Sequence, residues 1–412
     1  QRGCQHHQDT MSKRILILCD AFNKPLYVPR ITFLCKFLVR KGWDVTILTE
    51  QLQNETFQVP NTIFLAMPYY FGSNIQQRLQ WLGDKLWNRK DRCLYKYAKQ
   101  HIDCHSFDYI LCSSFNVFPL KAAAMIAAKT RKPLFVDLRD ITEQWGNTSY
   151  MVNSILQIGK IGQWITNLYI RKTNKQRNHI LHHAATVTTI SRWHQELLLQ
   201  YNPCTRLIYN GYDPDIYTFQ PKATSLFTIS YIGRIYDLQS RNPLLFLQAI
   251  AELKKQKLIA NTKIIFHIET EMINPLVSLV KQYHIDDICS ISGYIPRDEA
   301  LQLLQHSGIS LIFNETKETN TTHGIMTTKF YEALGCEKPI LCTPSDSEEL
   351  AQTIRQTNAG LASSNINEIK AFILDKYHEW QQNGFTHQAV INKEQFSREK
   401  QAEQFEQLFL KY

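Results

Sequence analysis

The sequence predicts an α/β protein built from two doubly wound domains. Short apolar runs alternate with longer amphipathic segments almost from end to end, as in βαβ units that lay down parallel sheets. The chain has 412 residues, about two or more times the common domain length. A turn-rich stretch from Tyr201 to Pro221, carrying Asn202-Pro203, Asn210-Gly211 and Asp213-Pro214, parts the alternation into two sets and reads as the linker.

Taken in order, the predicted strands of the first set are Arg14–Cys19, Asp44–Thr49, Thr62–Ala66, Tyr109–Ser113, Leu134–Asp137 and Thr186–Ile190. Those of the second are Thr228–Ile232, Lys263–Ile268, Ile288–Ser292, Ile309–Phe313 and Pro339–Cys342. One domain is expected over residues 11–203 and the other over 204–390. Residues 391–412 are expected to dock back toward the first domain, because Phe396, Phe405, Leu408 and Tyr412 are spaced like one helical face. Residues 1–10 are polar, lack an apolar signal-peptide core, and read as a leader or cloning remnant ahead of Met11.

Composition narrows the class. With 44% hydrophobic, 11% aromatic and 20% charged residues the chain can bury a sizeable core, which excludes a disordered polymer and a small disulfide scaffold. Ten cysteines include no C-x-x-C pair and no His/Cys cluster at zinc spacing, so no metal is expected. Several lie inside apolar runs, such as Cys19, Cys35, Cys112 and Cys342, where a free thiol behaves as a small hydrophobe, and a reducing, cytoplasmic setting is expected. Nowhere does an uncharged apolar run reach the roughly 18 residues of a spanning helix.

Ligands of open α/β sheets bind beyond the carboxyl ends of the strands. The first strand ends in Cys19-Asp20-Ala21-Phe22-Asn23-Lys24-Pro25 without G-x-G-x-x-G, which disfavours a nicotinamide or flavin enzyme, and no P-loop is present. In the second half, Ser230-Tyr231-Ile232-Gly233-Arg234 closes a strand with glycine and a cation, and Arg241 follows one loop later. Further on, Thr322 to Ala333 runs from a loop containing Gly324 into a helix. Thr327, Thr328 and Lys329 stand near its N-terminus, where free N–H groups and the dipole suit a pyrophosphate. Glu332, three residues after Lys329, could accept hydrogen bonds from a ribose diol. Cations on one side and a carboxylate on the other describe a nucleoside-diphosphate site; the plain alternative is a capped surface helix with an i,i+3 ion pair.

These residues resemble the GT-B glycosyltransferases, particularly the retaining enzymes of glycosyltransferase family 4. In the amino-terminal half the resemblance rests on Lys13–Cys19, on the helix opened by Arg30, on Arg40-Lys41-Gly42-Trp43-Asp44 and on Asp137-Leu138-Arg139-Asp140. In the other half it rests on Ile208-Tyr209-Asn210-Gly211-Tyr212-Asp213, Ile232-Gly233-Arg234, Gly293-Tyr294-Ile295-Pro296 and the block from Lys329 to Leu341. It implies two Rossmann-like domains facing a cleft, acceptor on the first and donor on the second, and transfer of a hexose-type sugar to a glycan or lipid-linked acceptor with retention. No metal or cofactor is implied beyond the nucleotide-sugar donor. Gly233, Arg234, Arg241, Ile295, Gly324, Thr327, Thr328, Lys329 and Glu332 are then donor-binding, Arg234 and Arg241 being catalytic through the leaving phosphates. Gly324 stands where the family's motif has its first glutamate, and its neighbourhood would offer backbone N–H groups instead. Arg139 stands where many relatives place a histidine; Asp137, Arg139 and Asp140 form the acceptor side, with Arg139 and Asp140 acting in catalysis. A nucleotide-sugar epimerase of the same fold, a paired-carboxylate hydrolase and a non-catalytic basic membrane-surface protein are the rival readings.

The chain carries 46 Lys+Arg against 37 Asp+Glu, a formal +9. Residues 75–101 contain seven cations and two aspartates, a local +5, and Gln144 to Gln195 contains six cations and no acidic residue, a local +6. On one continuous helix Arg78, Lys85, Arg89, Arg92 and Lys96 would form a stripe beside another of Ile75, Leu79, Leu82, Leu86 and Cys93. Either the apolar stripe packs on the domain, or the helix lies on an anionic bilayer at the inner face of a membrane, with Trp81 and Trp87 near the headgroups. Glycines at 159 and 162 weaken a simple helix over the second segment. Nucleic acid is not an expected partner, since no recognisable module for it is present.

Overall fold

Among the described residues every strand pairs in parallel, in two sheets. The computed structural model describes residues 12–20, 29–51, 59–69, 74–114, 117–144, 159–235, 237–238, 241–314, 325–345 and 348–412. Residues 1–10 and Gly324 therefore lie outside the described residues, as do the side chains of Arg78, Trp81, Leu82 and Lys85. The first sheet contains β1 (Arg14–Cys19), β2 (Asp44–Gln51), β3 (Ile63–Pro68), β4 (Tyr109–Ser114), β5 (Leu134–Leu138), β6 (Thr186–Thr189) and β7 (Thr205–Leu207), in the order β3-β2-β1-β4-β5-β6-β7. The second contains β8 (Phe227–Ile232), β9 (Thr262–His267), β10 (Cys289–Ser292), β11 (Ile309–Ile312), β12 (Ile340–Cys342) and β13 (Gly360–Ala362), in the order β10-β9-β8-β11-β12-β13. Helices covering both faces bury the central strands, which is why Ile15 to Cys19 and Ile309 to Ile312 read as unbroken apolar or small runs.

The chain divides into two compact units. The first comprises residues 12–143, 159–208 and 402–412 of those described; the second comprises Gln144 and residues 209–401. Two strands differ from the sequence expectation. β7 lies inside the turn-rich stretch read as linker, and by pairing with β6 it carries the first unit through Ile208. β13 is three residues long and opens on Gly360 at φ 147°, where a Cβ would collide with the Ile340 backbone of β12.

Residues 75–101 do not form one helix. Asn88, at φ 50° and ψ 44°, separates a helix Asn74–Trp87 from a helix Arg89–His101, so the single basic stripe drawn across both is broken there. The second basic segment does form a helix, Gly159–His183, with both glycines in its first turn, where they interrupt little of the hydrogen-bonded ladder. At the C-terminus, Phe396 is not on the terminal helix; it ends a short turn, Lys393–Phe396, and packs with Phe330 and Tyr331 in the second unit. Phe405, Leu408 and Phe409 of the helix Arg398–Phe409 enter the first unit's core, where Phe409 meets Phe135 edge-on at 4.9 Å and Trp43 Nε1 donates to Glu406 at 3.0 Å.

Candidate functional site

In the second sheet the order reverses between β8 and β11, the crevice position where open α/β sheets hold ligands. β8 runs out into Gly233, whose φ of 138° is accessible essentially to glycine alone. A Cβ there would collide with Cε and Nζ of Lys329, so the missing side chain is what lets the lysine lie across the strand end. Lys329 is the second residue of the helix Thr328–Gly335, beside the free N–H groups of its first turn, and its Nζ sits 5.1 Å over the Tyr231 ring. Tyr231 in turn stacks on Phe313 at 4.8 Å, and Arg241 Nη1 donates to the Phe313 carbonyl at 2.7 Å.

Glu269, just past β9, organises the loop after Gly233. One oxygen accepts from the Ile235 N–H at 2.9 Å while the other lies 3.3 Å from Arg234 Nε. Arg234 remains 66% exposed, so its guanidinium is presented to solvent rather than locked away. Burial first, then repulsion from Arg241, pushes the Lys329 ammonium down to about 8, with Glu332 and Glu269 pulling the other way. One helical turn on, Glu332 Oε1 accepts the Tyr217 hydroxyl at 2.9 Å, and the Arg297 guanidinium lies 6.0 Å over the Tyr217 ring. Burial lifts the Glu332 carboxyl above its ordinary range, opposed by the Tyr217 hydrogen bond and by Arg398, Lys329 and Arg297.

Of the residues singled out in sequence, Gly233, Arg234, Arg241, Lys329 and Glu332 thus come together around one strand end. Thr327 occupies the N-cap position of the helix without a side-chain cap bond, and Thr328 is exposed. Ile295 is partly buried in the loop between β10 and the helix Arg297–His306. Among the described residues no group of three His, Cys, Asp or Glu side chains could share a metal ion.

The first unit places its three candidates differently. Asp137 is fully buried inside β5 and accepts from Ser113 Oγ at 2.9 Å, Thr188 Oγ1 at 2.7 Å and Arg30 Nη2 at 3.0 Å. It has no face for an acceptor; its carboxylate anchors Arg30, itself 4% exposed, in the core. This replaces the acceptor-side expectation for Asp137 with a structural one. Arg139 follows β5, donates its backbone N–H to the Ser114 carbonyl at the end of β4, and ion-pairs with Asp20 just beyond β1. The pair therefore links the ends of β5 and β1 across β4, beside the point where the first sheet reverses, and Asp140 stands next to it, partly buried.

No protein-family model and no curated protein matches the sequence. Solved structures do. Anabaena HepE in complex with UDP-glucose is similar over 97% of this chain and 100% of its own, at 15% identity and TM-score 0.61. A Rickettsia africae glycosyltransferase is similar over 97% of this chain and 98% of its own, at 11% identity and TM-score 0.62. A point variant of Staphylococcus aureus TarM in complex with fondaparinux, α-GlcNAc-glycerol and UDP is similar over 96% and 99%, at 10% identity and TM-score 0.61. The fold is GT-B.

Within this GT-B chain, Glu269, Tyr217 and Arg297 also belong to the cluster at the reversal point of the second sheet, and none of the three is among the sequence candidates. Glu269 had a legible signal, a carboxylate two residues past a strand end beside the reversal point. Tyr217 and Arg297 had none, since their partners are 115 residues away or reached through a ring face.

Proposed function

We propose that the protein is a glycosyltransferase that moves a hexose-type sugar from a uridine diphosphate sugar to a hydroxyl of a glycan or lipid-linked acceptor, with retention. The observation that carries this reading is the cluster at the reversal point of the second sheet. A glycine opens space for Lys329, Arg234 and Arg241 stand beside it, and Glu332 follows one turn along the helix. The uridine base is inferred from neighbours of the same fold described with UDP or UDP-glucose.

In the transfer step the bond between the anomeric carbon and the β-phosphate oxygen breaks, and its electron pair goes to the diphosphate. Arg234, Arg241, Lys329 and the helix N–H groups are cations and dipoles fixed where that charge grows, so little reorganisation is needed as it forms. They supply the neutralisation that a metal would otherwise provide. The acceptor oxygen bonds to the anomeric carbon on the face the diphosphate leaves, and its proton passes to the departing phosphate oxygen. Glu332 holds the ribose diol, and Thr327 and Thr328 add donors at the helix start. On the first unit Arg139 and Asp140 orient the acceptor. The product class is a cell-surface polysaccharide or glycoconjugate made from the cytoplasmic side.

A thermal-shift panel of UDP-, GDP- and ADP-sugars tests the donor, since a ligand that binds only the native state raises the melting temperature. UDP-sugars should shift it, and Arg234→Ala and Glu332→Ala should remove turnover while the fold persists. Unchanged transfer or donor hydrolysis in both variants refutes the site. Isomerisation of the donor sugar without an acceptor would instead identify an epimerase, and the anomeric configuration of the product decides retention.

A further inference from the structure

We propose that the first unit carries a docking surface for an anionic lipid bilayer, formed where the helices Asn74–Trp87, Arg89–His101 and Gly159–His183 adjoin. The sequence left open whether the apolar stripe of the first helix packs inward. Ile75, Leu79 and Leu86 lie on one helical stripe, and they are 71%, 63% and 43% exposed. Trp87 at the helix end is 60% exposed. On the helix Gly159–His183, Trp164 and Leu168, one turn apart, are 63% and 44% exposed. Isolated surface apolar residues need no explanation, but six on adjoining helices do.

Two hydrogen bonds tie the helices at this face: Lys172 Nζ donates to the Leu86 carbonyl at 2.7 Å and Asn88 Nδ2 to Gln176 Oε1 at 3.1 Å. The charge here is one-sided. Arg92 and Lys172 both bear on Lys121, whose ammonium is lowered by burial first and then by Arg92, with Asp91 pulling the other way and Lys172 adding to the lowering. The local carboxylates are turned to other work: Asp91 is buried and accepts from the Ala122 N–H at 3.0 Å, Asp84 accepts from the Tyr69 hydroxyl, and Glu50 pairs with Lys90. Among the described residues Arg92, Lys121, Lys172 and Lys175 have no carboxylate within ion-pair distance.

An exposed apolar stripe with tryptophans at its edge, rimmed by uncompensated cations, is what an anionic membrane surface recognises. The same charge argues against a second copy of the chain, which would set like cations against one another. No helix among the described residues is long and apolar enough to cross a membrane, so the contact is interfacial. The proposal does not depend on the donor site.

The test uses the full chain and sucrose-loaded vesicles of phosphatidylcholine with or without about 30 mol% phosphatidylglycerol. Binding to the mixed vesicles should exceed binding to pure phosphatidylcholine by about tenfold or more, with a blue shift of tryptophan emission. Leu79→Glu and the pair Arg92→Gln with Lys172→Gln should each lower vesicle binding by about tenfold, while the melting temperature and its shift by UDP stay those of the native chain. Equal binding to both vesicle types, or unchanged binding by the variants, overturns the proposal. So does a chain that sediments as a dimer and becomes monomeric with Leu79→Glu, which would assign the face to a second copy.

Discussion

Lys329 gives the proposed donor site a pH dependence that can be worked out beforehand. Burial against Tyr231 and Gly233 pushes its ammonium down to about 8 without donor, with Arg241 and Arg234 adding to the shift and Glu332 and Glu269 opposing it. A diphosphate placed against it favours the charged form, so the donor-bound pKa is higher and the protonated enzyme is the one that binds. Between pH 7 and pH 9 the protonated fraction then falls from about nine-tenths to about one-tenth, and the donor dissociation constant rises about tenfold, or ~1.4 kcal/mol. Titration calorimetry with a UDP-sugar across that range measures it, and Lys329→Ala, run alongside, subtracts any ionisation of the ligand. Lys329→Arg keeps its charge throughout and should bind with a flat profile. The folded state also binds fewer protons than the unfolded chain between about 8 and 10.4, so this group adds stability as pH rises through that window. A native profile as flat as that of Lys329→Ala would refute the placement of Lys329 against the diphosphate.

Tyr217→Phe removes the hydroxyl from Glu332 Oε1 and should raise the donor KM about tenfold with a smaller change in kcat. Because that bond lowers the Glu332 pKa, the acid limb of kcat/KM should move to higher pH, and the difference from native should vanish with a 2′,3′-dideoxy donor. Asp137→Ala strands Arg30 in the core and should cost about 3–5 kcal/mol in a denaturation titration; full stability with lost acceptor binding would restore an acceptor role. Phe405→Ala opens a cavity in the first unit's core beside Arg30 and should cost about 3–5 kcal/mol of stability, whereas truncation of an undocked tail would cost nothing measurable.

The residues of the proposed donor site are legible in sequence because their chemistry is local. Gly233 and Arg234 follow a strand in sequence, Lys329 and Glu332 share one helix, and the free ends of strands and helices are readable without knowing the fold. Asp137 misled for the opposite reason. A carboxylate near a strand end looks available, yet pairing sets Ser113, Asp137 and Thr188 abreast on β4, β5 and β6, where the two hydroxyls close over it. Register is a property of three strands together, and no one strand declares it. β7 and β13 escaped for a related reason: at three residues each they hold no alternation to detect, and only a neighbouring strand makes them sheet.

The positive excess has two different fates in the two units. In the second, the cations are met by carboxylates placed to orient them: Glu269 holds the Arg234 loop, and Glu332 and Glu269 both steady Lys329. Of these cations Lys329 is shielded from salt by the protein around it, while Arg234 stays open to solvent. In the first, the carboxylates near Arg92, Lys121 and Lys172 are buried or already engaged, which leaves charge facing water within reach of dissolved ions. Screening acts most on the second kind, since the Debye length shrinks from about 10 Å at 0.1 M salt to about 3 Å at 1 M. Raising the salt should therefore release the chain from anionic vesicles well before it weakens donor binding, as co-sedimentation and titration calorimetry on one preparation would show. If both fall in step, the two sets of cations are not separate in function, and the basic helices act on the donor through its charge.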